Sequence, residues 1–234
     1  MRRAGVLRIR NFSELYVAAS TLGVGVRVAG RRVAIVSNAG GPGALAADHA
    51  KDRRLQLATL EGPTLERLAS LLPPSAHQGM PVYVRGDAEA QHFSTAARLC
   101  LEDPGVDALL AILTPHALTD PDAFARQLIE TAADHRKPLF TCWMGGDAVA
   151  ESRTLFSANK IPTYATPEAA VETEEVAEGI AKGQMPLPYY TILHPEARLS
   201  AKEKGQLTAG LMTTLEGSDA ELTTDDLNRP DSDN

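Results

Sequence analysis

Hydrophobic residues in this chain fall into short continuous runs separated by longer stretches that repeat with a helical period. Val33 to Val36 is the first run, β-branched and short enough for one buried strand. Leu55 to Leu60 reads as a second strand, Pro81 to Val84 as a brief extended piece before Gly86, and Val106 to Leu113 as the best buried strand. Leu139 to Trp143 and the short Pro162 to Tyr164 complete the set. The stretches between them predict helices: Asn11 to Leu22 with Asn11 as cap, one opening at Pro42, and Thr64 to Leu72 stopped by Pro73-Pro74. Asp87 to Leu101, Pro121 to His135 capped by Asp120, Asp147 to Ala158, and a helix from Pro167 capped by Thr166 follow. Strands alternating with helices imply a parallel sheet wrapped on both sides. Right-handed crossovers then make an open, doubly wound α/β sheet of about five strands the simplest closure.

In that architecture ligands gather at the carboxyl ends of the strands. Three glycine-bearing turns fall there: Asn38 to Gly43, Gly86-Asp87 and Gly145-Gly146. In the first, Asn38, Gly40, Gly41 and Gly43 allow unusual backbone angles, Pro42 suits a first helical turn, and the alanine-rich segment after it favours helix. A strand that ends in glycines and opens a helix aims free N–H groups and a positive dipole end at one point, which is the physics of a phosphate site. The bland alternative is a tight turn with no ligand. No lysine follows Gly43, so the segment is no nucleotide P-loop, and the glycine spacing does not fit GxGxxG. Asp87 could orient a ligand or a metal-bridged phosphate, or simply cap a helix.

Charge changes the picture at one end only. Of the formal −7, the segment from Gly217 to Asn234 carries about −5, with six acids against Arg229. The near-neutral remainder argues against a broad nucleic-acid surface. Cys100 and Cys142 fit neither a zinc motif nor a disulfide framework and read as core thiols in a reducing compartment. No signal peptide and no run of membrane-spanning length is evident, so a cytoplasmic protein is expected.

The segments Val33-Ala-Ile-Val-Ser-Asn-Ala-Gly-Gly-Pro-Gly-Ala-Leu-Ala-Ala-Asp48, Asp103-Pro-Gly-Val-Asp-Ala-Leu-Leu-Ala-Ile-Leu-Thr-Pro115, Lys137-Pro-Leu-Phe-Thr-Cys-Trp-Met-Gly-Gly146 and Ile161-Pro-Thr-Tyr-Ala-Thr-Pro-Glu168 carry a resemblance in order and spacing. From about Ala4 to Val171 the chain resembles the succinyl-CoA-synthetase-like flavodoxin domain of NDP-forming acyl-CoA synthetases. The same module occurs in related protein lysine acetyltransferases. The resemblance implies a flavodoxin-like fold. It also implies an enzyme that converts acyl-CoA, ADP and phosphate into acid, ATP and CoA by way of a phosphohistidine. By the same resemblance, Asn38, Gly40, Gly41 and Gly43 face the phosphorylated histidine. Gly145 and Gly146 head a second helix lining the pocket, and Gly86 and Asp87 lie on its rim.

The chain also departs from that family. No CoA-binding half, no ATP-grasp half and no histidine loop of the Ser-His-Thr-Gly type is found, and His49 reads as a surface helix residue. Met80-Pro-Val-Tyr83 stands where the family usually has Asn-Pro-Val-Asp. No residue of this chain is therefore expected to be catalytic or to bind a metal. ATP or ADP, CoA and Mg would belong to the complete enzyme, with CoA-binding and ATP-grasp domains or subunits as partners and phosphate as the ligand.

Beyond Val171 the sequence changes character. From Glu174 to Leu207 it resembles the C-terminal part of a cytochrome-c-like haem-binding domain, in which Met185 of Gly-Gln-Met-Pro and His194 of His-Pro-Glu-Ala-Arg-Leu would be the haem-ligand candidates. The CxxCH attachment motif is absent, which favours a helical appendage with Ser200 as a cap and Leu207 and Leu211 on its apolar face. The expected organisation is an α/β domain over 1–171, the appendage over 172–216 and a disordered acidic tail over 217–234. The expected function is a phosphate-binding module of an acyl-CoA synthetase, inactive alone. A lysine acetyltransferase module and a haem protein are the alternatives.

Overall fold

The computed structural model describes residues 26, 28–72, 79–117 and 119–171. The expected helix over 11–22, the appendage, the acidic tail, and with them Met185 and His194, lie outside the described residues. Within them the chain alternates β1 (Arg32–Ser37), α1 (Gly40–Asp52), β2 (Gln56–Leu57), α2 (Gly62–Leu71), β3 (Val82–Tyr83) and α3 (Ala90–Glu102). It continues through β4 (Ala108–Leu113), α4 (Pro121–Ala133), β5 (Leu139–Trp143), a 3₁₀ turn (Gly146–Val149), α5 (Ala150–Ala158) and β6 (Thr163–Tyr164). A further helical stretch begins at 167, where Thr166 Oγ1 accepts from the Ala169 N–H at 3.3 Å. Asp120 caps α4 by accepting from the Asp122 and Ala123 N–H groups at 3.1 Å each.

All strand pairs are parallel, in the order β2-β1-β4-β5-β6, with β3 also on β1. The sheet thus has six strands in five positions. β2 pairs with the start of β1 (Arg32↔Gln56, Val33↔Leu57) and β3 with its end (Val36↔Val82, Ser37↔Tyr83), so two half-strands share one edge. This is why the expected strand from Leu55 to Leu60 shrinks to two residues: the chain peels away into α2 before the edge is filled. Side chains alternate between two apolar layers, as a sheet covered on both faces requires. Ala34, Val36, Leu109, Ala111, Leu113 and Trp143 face one layer, with Leu68, Phe93, Phe124, Leu128 and Phe156 from α2 to α5. Val33, Ile35, Leu110, Ile112, Phe140 and Cys142 face the other, with Ala46, Ala47 and Ala50 of α1 and with Ala170 and Val171. Both cysteines are buried and free, and burial pushes each thiol up to about 12, so neither is nucleophilic near neutrality.

The amino edge of the sheet is tied by carboxylates. Asp107 takes a two-pronged contact from the Arg32 guanidinium, at 3.0 and 2.6 Å, and also accepts the Arg32 N–H. Buried Asp103 accepts from the Glu61 N–H at 2.8 Å and the Gly105 N–H at 2.7 Å, while Lys137 donates to its carbonyl oxygen. Burial pushes the Asp103 carboxyl up, but hydrogen bonds from Thr64, Glu61 and Gly105 and the Lys137 charge together outweigh it and hold it below its ordinary value. Arg32 does the same to Asp107. Carboxyls with lower folded than unfolded values contribute stability above about pH 4, and that stability is lost as pH falls through the folded values. Urea midpoints should therefore fall steeply below about pH 4. In Asp103→Asn the protein should be weaker at neutral pH and its acid dependence shallower; an unchanged slope would remove Asp103 from the account.

Candidate functional site

At the carboxyl edge the chain turns back on both sides of β1: toward β2 and β3 on one side, toward β4 on the other. This is the reversal of strand order at which α/β sheets open a crevice. Asn38 stands at its floor. It is buried, its Nδ2 donates to the Thr114 carbonyl at 2.8 Å, and its Oδ1 accepts the Thr114 N–H at 2.8 Å. The side chain thus extends the β1–β4 ladder by one rung after the strands have ended. Both polar atoms of the amide are engaged in that role, which positions the turn.

The helix beyond it opens at Gly40, two residues before the expected start at Pro42. Ala39 precedes it without any side-chain cap, and its own N–H is taken by Ser37 Oγ at 3.1 Å. No acidic residue occupies the first turn, and Pro42 has no N–H to offer. The Gly43 N–H already donates to the Ala39 carbonyl. That leaves the Gly40 and Gly41 N–H groups without a partner among the described residues, at the positive end of a 13-residue helix. Both glycines have helical backbone angles, and a Cβ on either would meet nothing within 4 Å. Neither the backbone nor neighbouring atoms require glycine there. Gly43 differs: a Cβ would come within 3.3 Å of Ser37 Cβ and 3.6 Å of Pro81 Cβ, so its smallness lets α1 close on β1 and β3.

The other two turns flank this point. Gly86 carries the His116 imidazole, whose Nε2 would lie 2.6 Å from a Cβ placed there. Because β3 and β4 lie on opposite sides of β1, this contact carries the ring of His116 over the end of β1. Among the described residues the imidazole nitrogens have no hydrogen-bond partner. Asp87 is not a helix cap: Glu89 precedes α3, and Asp87 instead receives a two-pronged contact from Arg85 at 2.9 and 2.8 Å. That hydrogen bonding holds its carboxyl below the ordinary value. Gly145 and Gly146 have positive φ (148° and 58°), and Gly145 lies against Pro115, so glycine is needed at both on backbone grounds. They open a four-residue 3₁₀ turn and not the second helix itself, which starts at Ala150. Among the described residues no group of three or more His, Cys, Asp or Glu is placed to hold a metal, and no helix is long and apolar enough to cross a membrane.

The sequence is similar to the acetate–CoA ligase (ADP-forming) II subunit alpha of Pyrococcus furiosus, 40% identical over 143 residues, or 59% of this chain and 31% of that one. It is 34% identical over 175 residues to acetate–CoA ligase (ADP-forming) I of Archaeoglobus fulgidus, covering 75% of this chain and 24% of the relative. The homologues at 34–40% identity are ADP-forming acetate–CoA ligases. It spans about a quarter to a third of the length of these relatives. The same α/β fold is seen in the crystal structure of PH0766 from Pyrococcus horikoshii OT3, with a TM-score of 0.73 and 33% identity over 79% of this chain and 43% of that one.

A family model described as a haem-binding domain matches residues 137–213. Its first part, 137–171, falls on β5, α5 and β6 of the parallel-sheet domain. β5 is buried throughout and paired on both sides, so this part of the match belongs structurally to the α/β domain.

Sequence reasoning did not single out His116, Arg85 or Thr114. Thr114-Pro115 was legible only as a strand end, and nothing local says that β3 and β4 flank β1.

Proposed function

We propose that this chain supplies the phosphate-binding face of an ADP-forming acyl-CoA synthetase, presented to a partner that carries the phosphohistidine. One observation carries the reading: two N–H donors, unpaired among the described residues, on glycines for which no described neighbour accounts, opening a helix with no acid in its first turn. Glycine there leaves room for an outside group to approach the backbone. In this reading Gly40 and Gly41 are the donors, Asn38 and Gly43 fix the turn, and Gly145, Gly146, Gly86 and Asp87 border it. Such donors stabilise a migrating phosphoryl group without chemistry of their own. CoA, nucleotide, magnesium and the histidine come from CoA-binding and ATP-grasp partners, and the chain alone does not turn over.

The test is an amide NMR titration of the full chain with inorganic phosphate. Two backbone donors without a lysine should bind on the order of 1 mM, about −4 kcal/mol. Saturable shifts at Gly40 and Gly41, with smaller ones at Gly145 and Gly146, are the expected result. No movement up to tens of millimolar would overturn the reading.

A further inference from the structure

The divided edge beside β1 leaves a slot. The Ala58 N–H donates to the Val33 carbonyl at 2.8 Å and the Val84 N–H to the Ser37 carbonyl at 2.9 Å. Between these rungs Ala34 and Ile35 have no residue of β2 or β3 opposite them. A buried N–H facing such a gap is costly unless something accepts from it. Met80 does: the Ile35 N–H donates to its Sδ at 3.0 Å. The same side chain packs against both apolar layers, filling the slot from one face of the sheet to the other. The residue as a whole is only partly buried. Next along the chain, Pro81 lies against the start of α1, and β3, with two paired residues, leads into the Arg85–Gly86–Asp87 turn.

We infer that Met80 is an oxidation site whose modification loosens β3 and the turn that follows it. Hydrogen peroxide is the oxidant class. A sulfur lone pair attacks one peroxide oxygen, the O–O bond breaks, a sulfoxide forms and water leaves; the thioether loses two electrons and the peroxide gains them. At an N···S separation of 3.0 Å there is no room for an added oxygen along the hydrogen bond. The oxygen therefore adds at the other lone pair, and the sulfur, now electron-poor, no longer accepts from the Ile35 N–H. Residue 80 must move before the S=O oxygen can take that bond, and the two-residue pairing of β3 is the weakest part of the sheet that depends on it. Met144 supplies the contrast. It too is partly buried, but its Sδ receives only a long contact from Thr114 Oγ1 at 3.9 Å, and it follows a strand paired over five residues.

The full chain would be treated with hydrogen peroxide and its methionines mapped by peptide mass. Amide exchange would then be compared before oxidation, after it, and after methionine sulfoxide reductase. The expected result is sulfoxide at Met80, with exchange at Ile35, Val82 and Val84 faster on the order of tenfold and restored by the reductase. Exchange in β4 and β5 should be unchanged. Sulfoxide at Met80 with β3 exchange unaltered would overturn the inference, as would a Met80 that resists oxidation while Met144 reacts. Met80→Leu should abolish the peroxide response, and a response that persists would also overturn it. Should the leucine variant fail to fold, reductase reversal in the unaltered protein still decides.

Discussion

Asn38→Leu should lose about 2–4 kcal/mol of stability in urea unfolding, although it removes a polar residue from the interior. Leucine keeps the number and branching of the side-chain heavy atoms but is larger, so overpacking of the buried site adds to the loss. The main part comes from Thr114. Its N–H and its carbonyl oxygen are both satisfied by the Asn38 amide at 2.8 Å, and both lose that partner where β1 and β4 have already ended. Asn38→Asp separates the two bonds. A carboxylate still accepts the Thr114 N–H but sets an oxygen against the Thr114 carbonyl. A proton on it restores the second bond, so the folded carboxyl titrates above its unfolded value. The variant is then weakest at neutral pH and regains stability as pH falls through that raised value, the opposite sign to Asp103 and Asp107. A leucine variant as stable as the parent would show that the two bonds contribute nothing net.

These positions show where a sequence stops being legible. Leu139–Trp143 could be read directly because a central parallel strand is apolar on both faces, and Asp120 because a cap acts on its own next turn. The glycine turn at Gly40 was legible for the same local reason. The shared edge of β2 and β3 was not: a two-residue strand carries no periodic signal, and its existence depends on which strand lies beside it. His116 over Gly86, and the Met80 sulfur filling the slot at Ile35, are products of strand order. Asp87 misled because an acid shortly before a helix has the signature of a cap. Here Arg85, two residues earlier, holds the carboxylate instead.

Gly41→Glu should raise stability and abolish phosphate binding in the same molecule, and the opposed signs make it the sharpest test of the carboxyl-edge site. On the stability side, any non-glycine residue inside a helix gains roughly 0.5–1 kcal/mol by restricting the unfolded chain. A carboxylate in the first turn adds about 0.3–1 kcal/mol against the helix dipole. The room is there, since a Cβ at 41 meets nothing within 4 Å and no acid already occupies that turn. On the binding side the new carboxylate places a negative charge where the anion must sit and competes for the same N–H groups, so phosphate affinity should fall at least tenfold, about 1.4 kcal/mol. Gly41→Ala isolates size from charge. It should share part of the stability gain, and if an outside group comes as close to the backbone as two otherwise unexplained glycines suggest, it should also weaken binding, by less than glutamate does. A glutamate variant that melts higher yet binds phosphate as the parent does would move the ligand away from α1. A variant that melts lower would show that the space beside Gly41 does not accept a side chain.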